Sequence, residues 1–206
     1  MTRRSFYDKV TDVQRARASD LALMINPRLT RMPLPMVKID DPFLPFGKAI
    51  IDATRDLICA YVFDLASYLA LGAAGAVALE RTIAYAGGDG ETVTILHAPF
   101  ATPDYSEAAS DRAFNVDAVT LASDDYAGAY LSEPGRCAFV VANAIGSVSP
   151  GAGLFIAEEG LFFLEVNQMQ LLRIRLLGEH VLYAGSRDDF AEQARAVIVA
   201  RRHADE

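Results

Sequence analysis

Short apolar runs alternate along the chain with segments whose apolar residues recur at helical spacing. Five of the runs have the length of strands, and they cover 21–26, 58–63, 92–98, 116–122 and 137–144. These runs are continuously apolar rather than alternating, which is typical of parallel strands that are covered on both faces. The order predicts an α/β protein with a parallel sheet and crossover helices.

The pattern becomes irregular after the fifth predicted strand. The segment 153–166 predicts two short strands that are too close together for a crossover helix, and 171–177 alternates with period two as a further strand does. A closing amphipathic helix is predicted over 186–202. The chain has 206 residues, fewer than the roughly 250 of a typical eight-stranded barrel. We therefore expect one domain over 1–206, a TIM-type (β/α) barrel that is shortened or irregular after strand five.

Charge and composition argue against several classes of partner. The formal net charge is -8 at pH 7, which disfavours binding to nucleic-acid phosphates and to anionic lipid. Uncharged stretches fall short of the roughly 20 residues that span a bilayer, and "MTRRSFYDKV" lacks the apolar core of a signal peptide. Cys59 and Cys137 lie in apolar runs and are expected to be buried free thiols. We expect a cytoplasmic protein that binds neither nucleic acid nor membrane.

Polar residues stand at or beyond the predicted carboxyl ends of the strands, where β/α barrels place their sites. They are Asn26, Asp64, His97, Asp124, Asn143 and Glu165. Asp64, His97 and Glu165 predict either a metal site of two carboxylates and one imidazole, or a general base oriented by a carboxylate. The other three are candidates for ligand binding. The alternative is that all six are ordinary polar residues of barrel loops, since no HxH, HxxxE or HExxH spacing is present.

Five stretches occur in the order and spacing of one enzyme family. They are "SFYDKVTDVQRARASDLALMINPRLTRMP", "GAAGAVALERTIAYA", "VDAVTLAS", "CAFVVANA" and "HVLYAGSRDDFAEQARAV". In turn they resemble the opening helix and first strand, the second helix, the fourth strand, the fifth strand, and the closing strand and helix of the orotidine 5'-monophosphate (orotidine 5'-phosphate) decarboxylases, in particular the longer bacterial subtype. The resemblance implies a TIM-type barrel, decarboxylation without a cofactor, and dimers whose sites face the partner.

The residues that carry catalysis in that family have no counterpart at the matched positions. The family uses a lysine on strand two and an Asp-x-Lys-x-x-Asp signature at the end of strand three to stress the departing carboxylate and protonate the carbanion. Matched by position, the lysine falls on Val62, and the signature falls on Leu96, Ala98 and Ala101. The Asp at the end of the family's first strand is Asn26 here.

The rest of the chain does not replace the missing groups. Its three lysines are Lys9, Lys38 and Lys48, far in sequence from strand three. Tyr105 stands in place of a following Thr, and "LEVNQMQ" occupies the place of the family's Gly-rich phosphate loop. A carbanion needs a cation and a proton donor within hydrogen-bond reach, and arginine is a poor donor because it stays charged. We therefore predict a degenerate, catalytically inactive relative with no catalytic residue, cofactor or metal.

The remaining expectation is a binding, scaffolding or regulatory role as a homodimer or as a heterodimer with an active homologue. An apolar cluster predicts an interface if the shortened barrel leaves it uncovered. It consists of Leu154, Phe155, Leu161, Phe162, Phe163 and Leu164. The alternatives are a repurposed enzyme that uses Asp64, His97 and Glu165, or a nucleotide-binding protein. The segment "SVSPGAG" (147–153) either holds a phosphate on its backbone amides or bridges a deletion as a loop.

Overall fold

Eight strands close into a barrel in the computed structural model, which describes residues 4–132, 135–143, 146–157, 160–165 and 170–204. Each strand pairs with the next along the chain, and the last pairs with the first. The strands are β1 (Leu21–Ile25), β2 (Ala60–Asp64), β3 (Val93–His97), β4 (Ala118–Leu121), β5 (Cys137–Ala142), β6 (Ala152–Ile156), β7 (Gly160–Glu165) and β8 (Gln170–Leu177). The predicted TIM-type barrel is confirmed, and β1 to β5 overlap the five predicted runs.

Helices cover the outside of the barrel and one of its ends. They are α1 (Phe6–Arg17), α2 (Leu34–Val37), α3 (Phe43–Thr54), α4 (Leu65–Leu69), α5 (Gly72–Gly87), α6 (Ser106–Ala109), α7 (Ala127–Leu131), α8 (Glu179–Leu182) and α9 (Phe190–Ala204). In α5 the buried residues recur every three or four positions, as in Leu79, Ile83 and Ala86, so that one apolar stripe faces the barrel. None of the helices formed by the described residues has the length and apolar content needed to span a bilayer.

Helix α1 closes the amino end of the barrel. Ser5 caps the helix by accepting a hydrogen bond from the amide of Asp8 at 3.1 Å. Phe6, one of its buried residues, meets Phe139 of β5 edge to face with ring centroids 5.5 Å apart. Lys9, on the same helix, forms a 2.7 Å ion pair with Asp117, which precedes β4. With this end filled by α1, the carboxyl ends of the strands remain as the open end.

Alternate side chains along each strand enter two different apolar layers. Val62, Ile95 and Phe139 belong to the cluster inside the barrel. Phe63 and Leu96 belong to the cluster between the barrel and its helices. This division follows from the two-residue period of a strand, and it decides which residues at a strand end can face the open end of the barrel.

The chain reverses direction between β6 and β7. Strands β6 and β7 pair antiparallel, and so do β7 and β8, because the three residues 157–159 between β6 and β7 cannot cross the barrel. Gly160 opens β7 at a φ of 129°, where a Cβ atom would lie 2.0 Å from the carbonyl oxygen of Ile174. The predicted pair of short strands without a crossover helix is confirmed, and β7 runs opposite to the other seven strands.

The connection between β5 and β6 is a loop in its described residues, 143 and 146–151. It joins two parallel strands. The carboxylate of Asp124 holds it by accepting hydrogen bonds from the Ser149 amide at 3.0 Å and from the Ser149 hydroxyl at 2.7 Å. Because this amide is already bonded to a carboxylate, the geometry favours the bridging role of the 147–153 segment over the phosphate-holding one.

The predicted apolar cluster on β6 and β7 is divided between the two faces of the barrel wall. Its members Phe155, Leu161 and Phe163 point into the barrel. Leu154 and Phe162 point outward and are buried, so the condition for an interface here, an uncovered cluster, is not met by the described side chains. The side chain of Leu164, also predicted for the cluster, lies outside the described residues.

The barrel closes at a seam between β8 and β1. Arg175 of β8 donates from its backbone amide to the carbonyl of Asp20 at 2.8 Å. Its guanidinium also donates to both carboxylate oxygens of Asp20, with Nε distances of 2.9 and 2.8 Å and an Nη2 distance of 2.6 Å. Such a bidentate, charge-assisted contact fixes the register of the two strands as well as joining them.

Candidate functional site

A cavity of about 550 Å³ opens at the carboxyl end of the barrel, the end opposite α1. We call it the mouth cavity. Its described lining consists of Met24, Asn26, His97, Phe155, Ala157, Leu176, Gly178, Glu179 and His180. The volume lies within the roughly 300–1,000 Å³ that is usual for small-molecule sites, and β/α barrels place their sites at this end.

A larger cavity, of about 720 Å³, lies at the amino end of the barrel. It is lined by Lys9 and Asp117, whose charges are paired with each other. Asp117 also accepts hydrogen bonds from the amide and the hydroxyl of Thr94, at 2.9 and 3.1 Å. These groups hold α1 against the strands, so we assign this cavity a structural role and regard the mouth cavity as the candidate site.

His97 is held as a neutral imidazole on the wall of the mouth cavity. Its Nδ1 lies 3.0 Å from the hydroxyl oxygen of Thr120, which already accepts the amide hydrogen of Ala98 at 2.9 Å. Thr120 is fully buried, and Nδ1 is the acceptor within reach of its hydroxyl among the described residues, so we assign the hydroxyl proton to this contact and the ring hydrogen to Nε2. Burial lowers the pKa of His97 below its usual value, and the carboxylate of Asp64 opposes this only in part. The ring also packs on Phe155, with centroids 4.8 Å apart.

Asn26 contributes an acceptor that has no protein partner among the described residues. The side chain is 7% exposed, and its Nδ2 donates to Oε1 of Glu179 at 3.0 Å. This bond fixes the orientation of the amide, and the Oδ1 atom is left buried without a hydrogen bond. A buried polar atom of this kind costs about 1–3 kcal/mol, which a donor on a bound molecule would offset.

One carboxylate beside the mouth cavity pairs with two guanidinium groups. Glu179 accepts from Nε of Arg28 at 2.7 Å and also pairs with Arg31. The guanidinium of Arg31 lies 4.2 Å from the ring centroid of Tyr183. The hydroxyl of Tyr183 donates to the backbone carbonyl of Asn26 at 3.1 Å, and burial raises its pKa to about 12, so it stays protonated. The sequence did not point to this cluster, although Glu179 lies two residues beyond the predicted strand 171–177.

The three residues predicted as an alternative catalytic set do not meet. Asp64 ends β2 beside His97 of β3, but its carboxylate caps α4 by accepting from the amide of Ser67 at 3.2 Å. The backbone of Glu165 pairs with Gln170, at the start of β8, and therefore lies at the amino end of the barrel. The prediction assumed that every strand ends at the same side of the barrel, and the reversal of β7 makes that assumption wrong for Glu165.

The three predicted ligand-binding residues have different surroundings. Asn26 lines the mouth cavity. Asp124 is bonded to Ser149 of the β5–β6 loop, as described above, and Asn143 is exposed just beyond β5. Neither Asp124 nor Asn143 is among the described residues of the lining. Within the described part of the chain, no three His, Cys, Asp or Glu side chains are grouped as metal ligands.

The structure corrects the register of the strand-three signature. Leu96, Ala98 and Ala101 lie in the apolar layer between the barrel and its helices, so they do not face the mouth cavity. His97 is the residue of this strand end that does. A signature of the same spacing that starts at His97 continues at Pro99 and Thr102, and it still contains neither lysine nor aspartate. The predicted position of the signature was displaced by one residue, and a shift of one residue exchanges the two faces of a strand.

The lysines and cysteines lie apart from the described lining of the mouth cavity. Lys48, on α3, has its Nζ 4.4 Å from the centroid of the Tyr85 ring. Lys38 ends α2 and is exposed, and Lys9 is at the amino end. Cys59 and Cys137 are buried free thiols, as predicted. Burial raises the pKa of Cys59 to about 12, so this thiol is unreactive at neutral pH.

Comparisons with known proteins yield relatives of one kind. Orotidine 5'-phosphate decarboxylase from Herpetosiphon aurantiacus is 39% identical over 79 residues, which are 38% of this chain and 30% of that protein. The enzyme of the same name from a Roseiflexus species is 33% identical over 133 residues, 63% of this chain and 47% of the relative. The solved structure of Leishmania donovani OMP decarboxylase superposes with a TM-score of 0.67 at 15% identity, covering 97% of this chain and 99% of the other. No protein-family model matches the chain.

A closed eight-stranded barrel with a cavity at its carboxyl end defines a protein of the TIM-barrel class. The chain matches less than half of the length of the two curated relatives. The chain is similar in sequence, over part of its length, and in fold, over nearly all of it, to the orotidine 5'-phosphate decarboxylases.

Proposed function

We propose that this chain is a noncatalytic member of the family that acts by associating with another barrel in the cytoplasm. The proposal rests on the residues at the carboxyl ends of β1, β2 and β3, which form part of the open end of the barrel. These are Asn26, Asp64 and His97, with the apolar Val62 one step deeper in the barrel. The described lining of the mouth cavity includes no lysine.

The loss of positive charge argues against decarboxylation at this site. Loss of carbon dioxide without a cofactor leaves a carbanion that must be stabilised by a cation and then protonated. Lys9 is paired with Asp117 at the opposite end of the barrel. Arg28 and Arg31 both pair with Glu179 of the described lining, and a guanidinium group is in general a poor proton donor.

Exposed apolar side chains in the connections that follow β1, β2 and β3 support association with a second barrel. Eight of the nine large hydrophobic residues exposed in the described chain lie in the segments that follow β1, β2 and β3. We call them the apolar rim: Leu29, Leu34, Val37, Ile39, Leu69, Val77, Phe100 and Tyr105. Apolar side chains gathered on one side of a protein mark contact surfaces. We propose a second copy of this chain as the partner, and an active homologue as the alternative.

The catalytic part of the proposal is tested by turnover. Purified chain is incubated with orotidine 5'-monophosphate, and the loss of substrate is followed by ultraviolet absorbance beside an active family enzyme. We expect no turnover above the buffer rate. Turnover that co-purifies with the chain and is abolished by His97→Asn would overturn the proposal, since a contaminating enzyme would be insensitive to that substitution.

The association is tested by measuring mass in solution. We expect the wild-type chain to be a dimer by light scattering and sedimentation, and the double variant Leu34→Glu/Val37→Glu to be a monomer. These two side chains are 63% and 62% exposed. Leu171→Glu is the matched control, because Leu171 is 64% exposed and lies on β8 away from the rim. A monomeric wild-type chain that also fails to bind an active family member would refute the role.

A further inference from the structure

We infer that the mouth cavity binds a small uncharged molecule through an amide or ureide group. Asn26 and His97 each offer the cavity a polar atom that has no hydrogen bond among the described residues, and the two atoms are of opposite kinds. Oδ1 of Asn26 is a buried acceptor without a donor. Nε2 of His97 carries the ring hydrogen, because Nδ1 is occupied by Thr120. An amide offers an N–H group beside a carbonyl oxygen, which is the complement of this pair.

The electrostatics of the site select against a charged ligand. Glu179 lines the cavity, whereas Arg28 and Arg31, which pair with it, are outside the described lining, so an incoming anion would approach the Glu179 carboxylate first. Burial keeps His97 neutral, and the carboxylate of Asp64 lies near it. An ionised ligand would therefore lose its hydration without gaining an opposite charge in return.

The apolar part of the lining suits a flat ring attached to the amide. Met24, Phe155 and Leu176 lie on the inner face of the barrel and line the same cavity. The ring of Phe155 already packs on the ring of His97. Such a surface favours an aromatic amide over a small polar one, because the ring is removed from water while the amide keeps its hydrogen bonds.

Benzamide and benzoate are the probes that test this inference. They have nearly the same shape and differ in charge and in the amide N–H. We expect benzamide to bind the wild-type chain about tenfold more tightly than benzoate in NMR titrations, the ratio that one well-made hydrogen bond supplies. The signals expected to move are the side-chain amide of Asn26 and the ring nitrogens of His97.

Two variants distinguish specific binding in the mouth cavity from nonspecific binding to the chain. His97→Phe keeps a ring against Phe155 but removes the donor, and we expect it to weaken benzamide binding about tenfold. Asn143→Ser is the control, since Asn143 is exposed and outside the described lining. Equal binding of the two probes, no binding of either, or benzamide binding that His97→Phe leaves unchanged would overturn the inference.

The inference rests on the proposed function, because it assigns the cavity to binding rather than to decarboxylation. The two can fail separately. Turnover of orotidine 5'-monophosphate would refute the proposed function, whatever benzamide does. Failure to distinguish benzamide from benzoate would refute the ligand class alone, and it would leave the turnover and mass results unchanged.

Discussion

Replacing His97 with asparagine should remove part of the pH dependence of stability. The Oδ1 atom of asparagine occupies nearly the same place as Nδ1 of histidine, so it can accept the hydroxyl hydrogen of Thr120. The variant therefore keeps the hydrogen bond seen at 3.0 Å but does not titrate. Any difference in pH dependence between the two chains reports on protonation of His97.

The sign of the effect follows from the direction of the pKa shift. Burial lowers the pKa of His97 in the folded chain, whereas in the unfolded chain it is close to the ordinary value of about 6.5. Below that pH, the unfolded chain takes up a proton that the folded chain resists. The free energy of unfolding of the wild type should therefore fall as the pH decreases through 6.5, until the lower folded pKa is reached.

The size of the effect is bounded by a single proton. Within this window, the contribution of His97 changes by at most about 1.4 kcal/mol per pH unit. The acidic residues shared by both chains contribute equally to each, so they cancel in the difference. The stability lost through His97→Asn should thus shrink as the solution is acidified.

Urea denaturation at a series of pH values between about 7.5 and 5.5 measures this difference. His180→Asn is the control, because His180 is exposed in the structure and should behave like the wild type. Parallel curves for wild type and His97→Asn would refute the lowered pKa. A wild type that gains stability relative to the variant on acidification would show that Asp64 outweighs burial.

Three further substitutions test the barrel frame by urea denaturation. Gly160→Ala should lower the free energy of unfolding by more than about 3 kcal/mol, because the left-handed backbone and the close carbonyl of β8 both exclude a Cβ atom. A loss below about 1 kcal/mol would contradict the turn geometry. Lys9→Met should lower the free energy of unfolding by about 3 kcal/mol, because it breaks a largely buried ion pair with Asp117. An unchanged midpoint would show that α1 does not depend on this pair. Asp124→Ala should lower the free energy of unfolding by about 1–3 kcal/mol and increase hydrogen exchange at the Ser149 amide. Continued protection of that amide would show that the loop is held in another way.

The first five strands could be predicted from sequence because each is a short apolar run that is buried on both faces. The β6–β7 hairpin was also predictable, since no crossover fits between Ile156 and Gly160. The alternation of strand and helix segments predicts a crossover helix between β3 and β4, but no long helix forms in that connection. The structure has a 3₁₀ turn and the single-turn α6 there, and Ser110 ends the turn by bonding to the carbonyl of Glu107. Such side chains compete with the helix for backbone groups.

The candidate site could be predicted only in part. Asn26 and His97 were found because both stand at strand ends that run in the common direction. Glu165 was misplaced because strand polarity is not visible in a single apolar run. The pairing of Arg28 with Glu179 joins residues that become neighbours only when β8 closes on β1, so neither residue signals the contact alone.

The seam between Asp20 and Arg175 has a consequence for the order of folding. The partners are 155 positions apart in sequence, whereas the β6–β7–β8 meander contains only local pairings. Loop-closure entropy delays the distant contact far more than the local ones. We expect the meander to form early and the seam to close late, so that mutations at Asp20 chiefly accelerate unfolding while mutations within the meander also slow refolding.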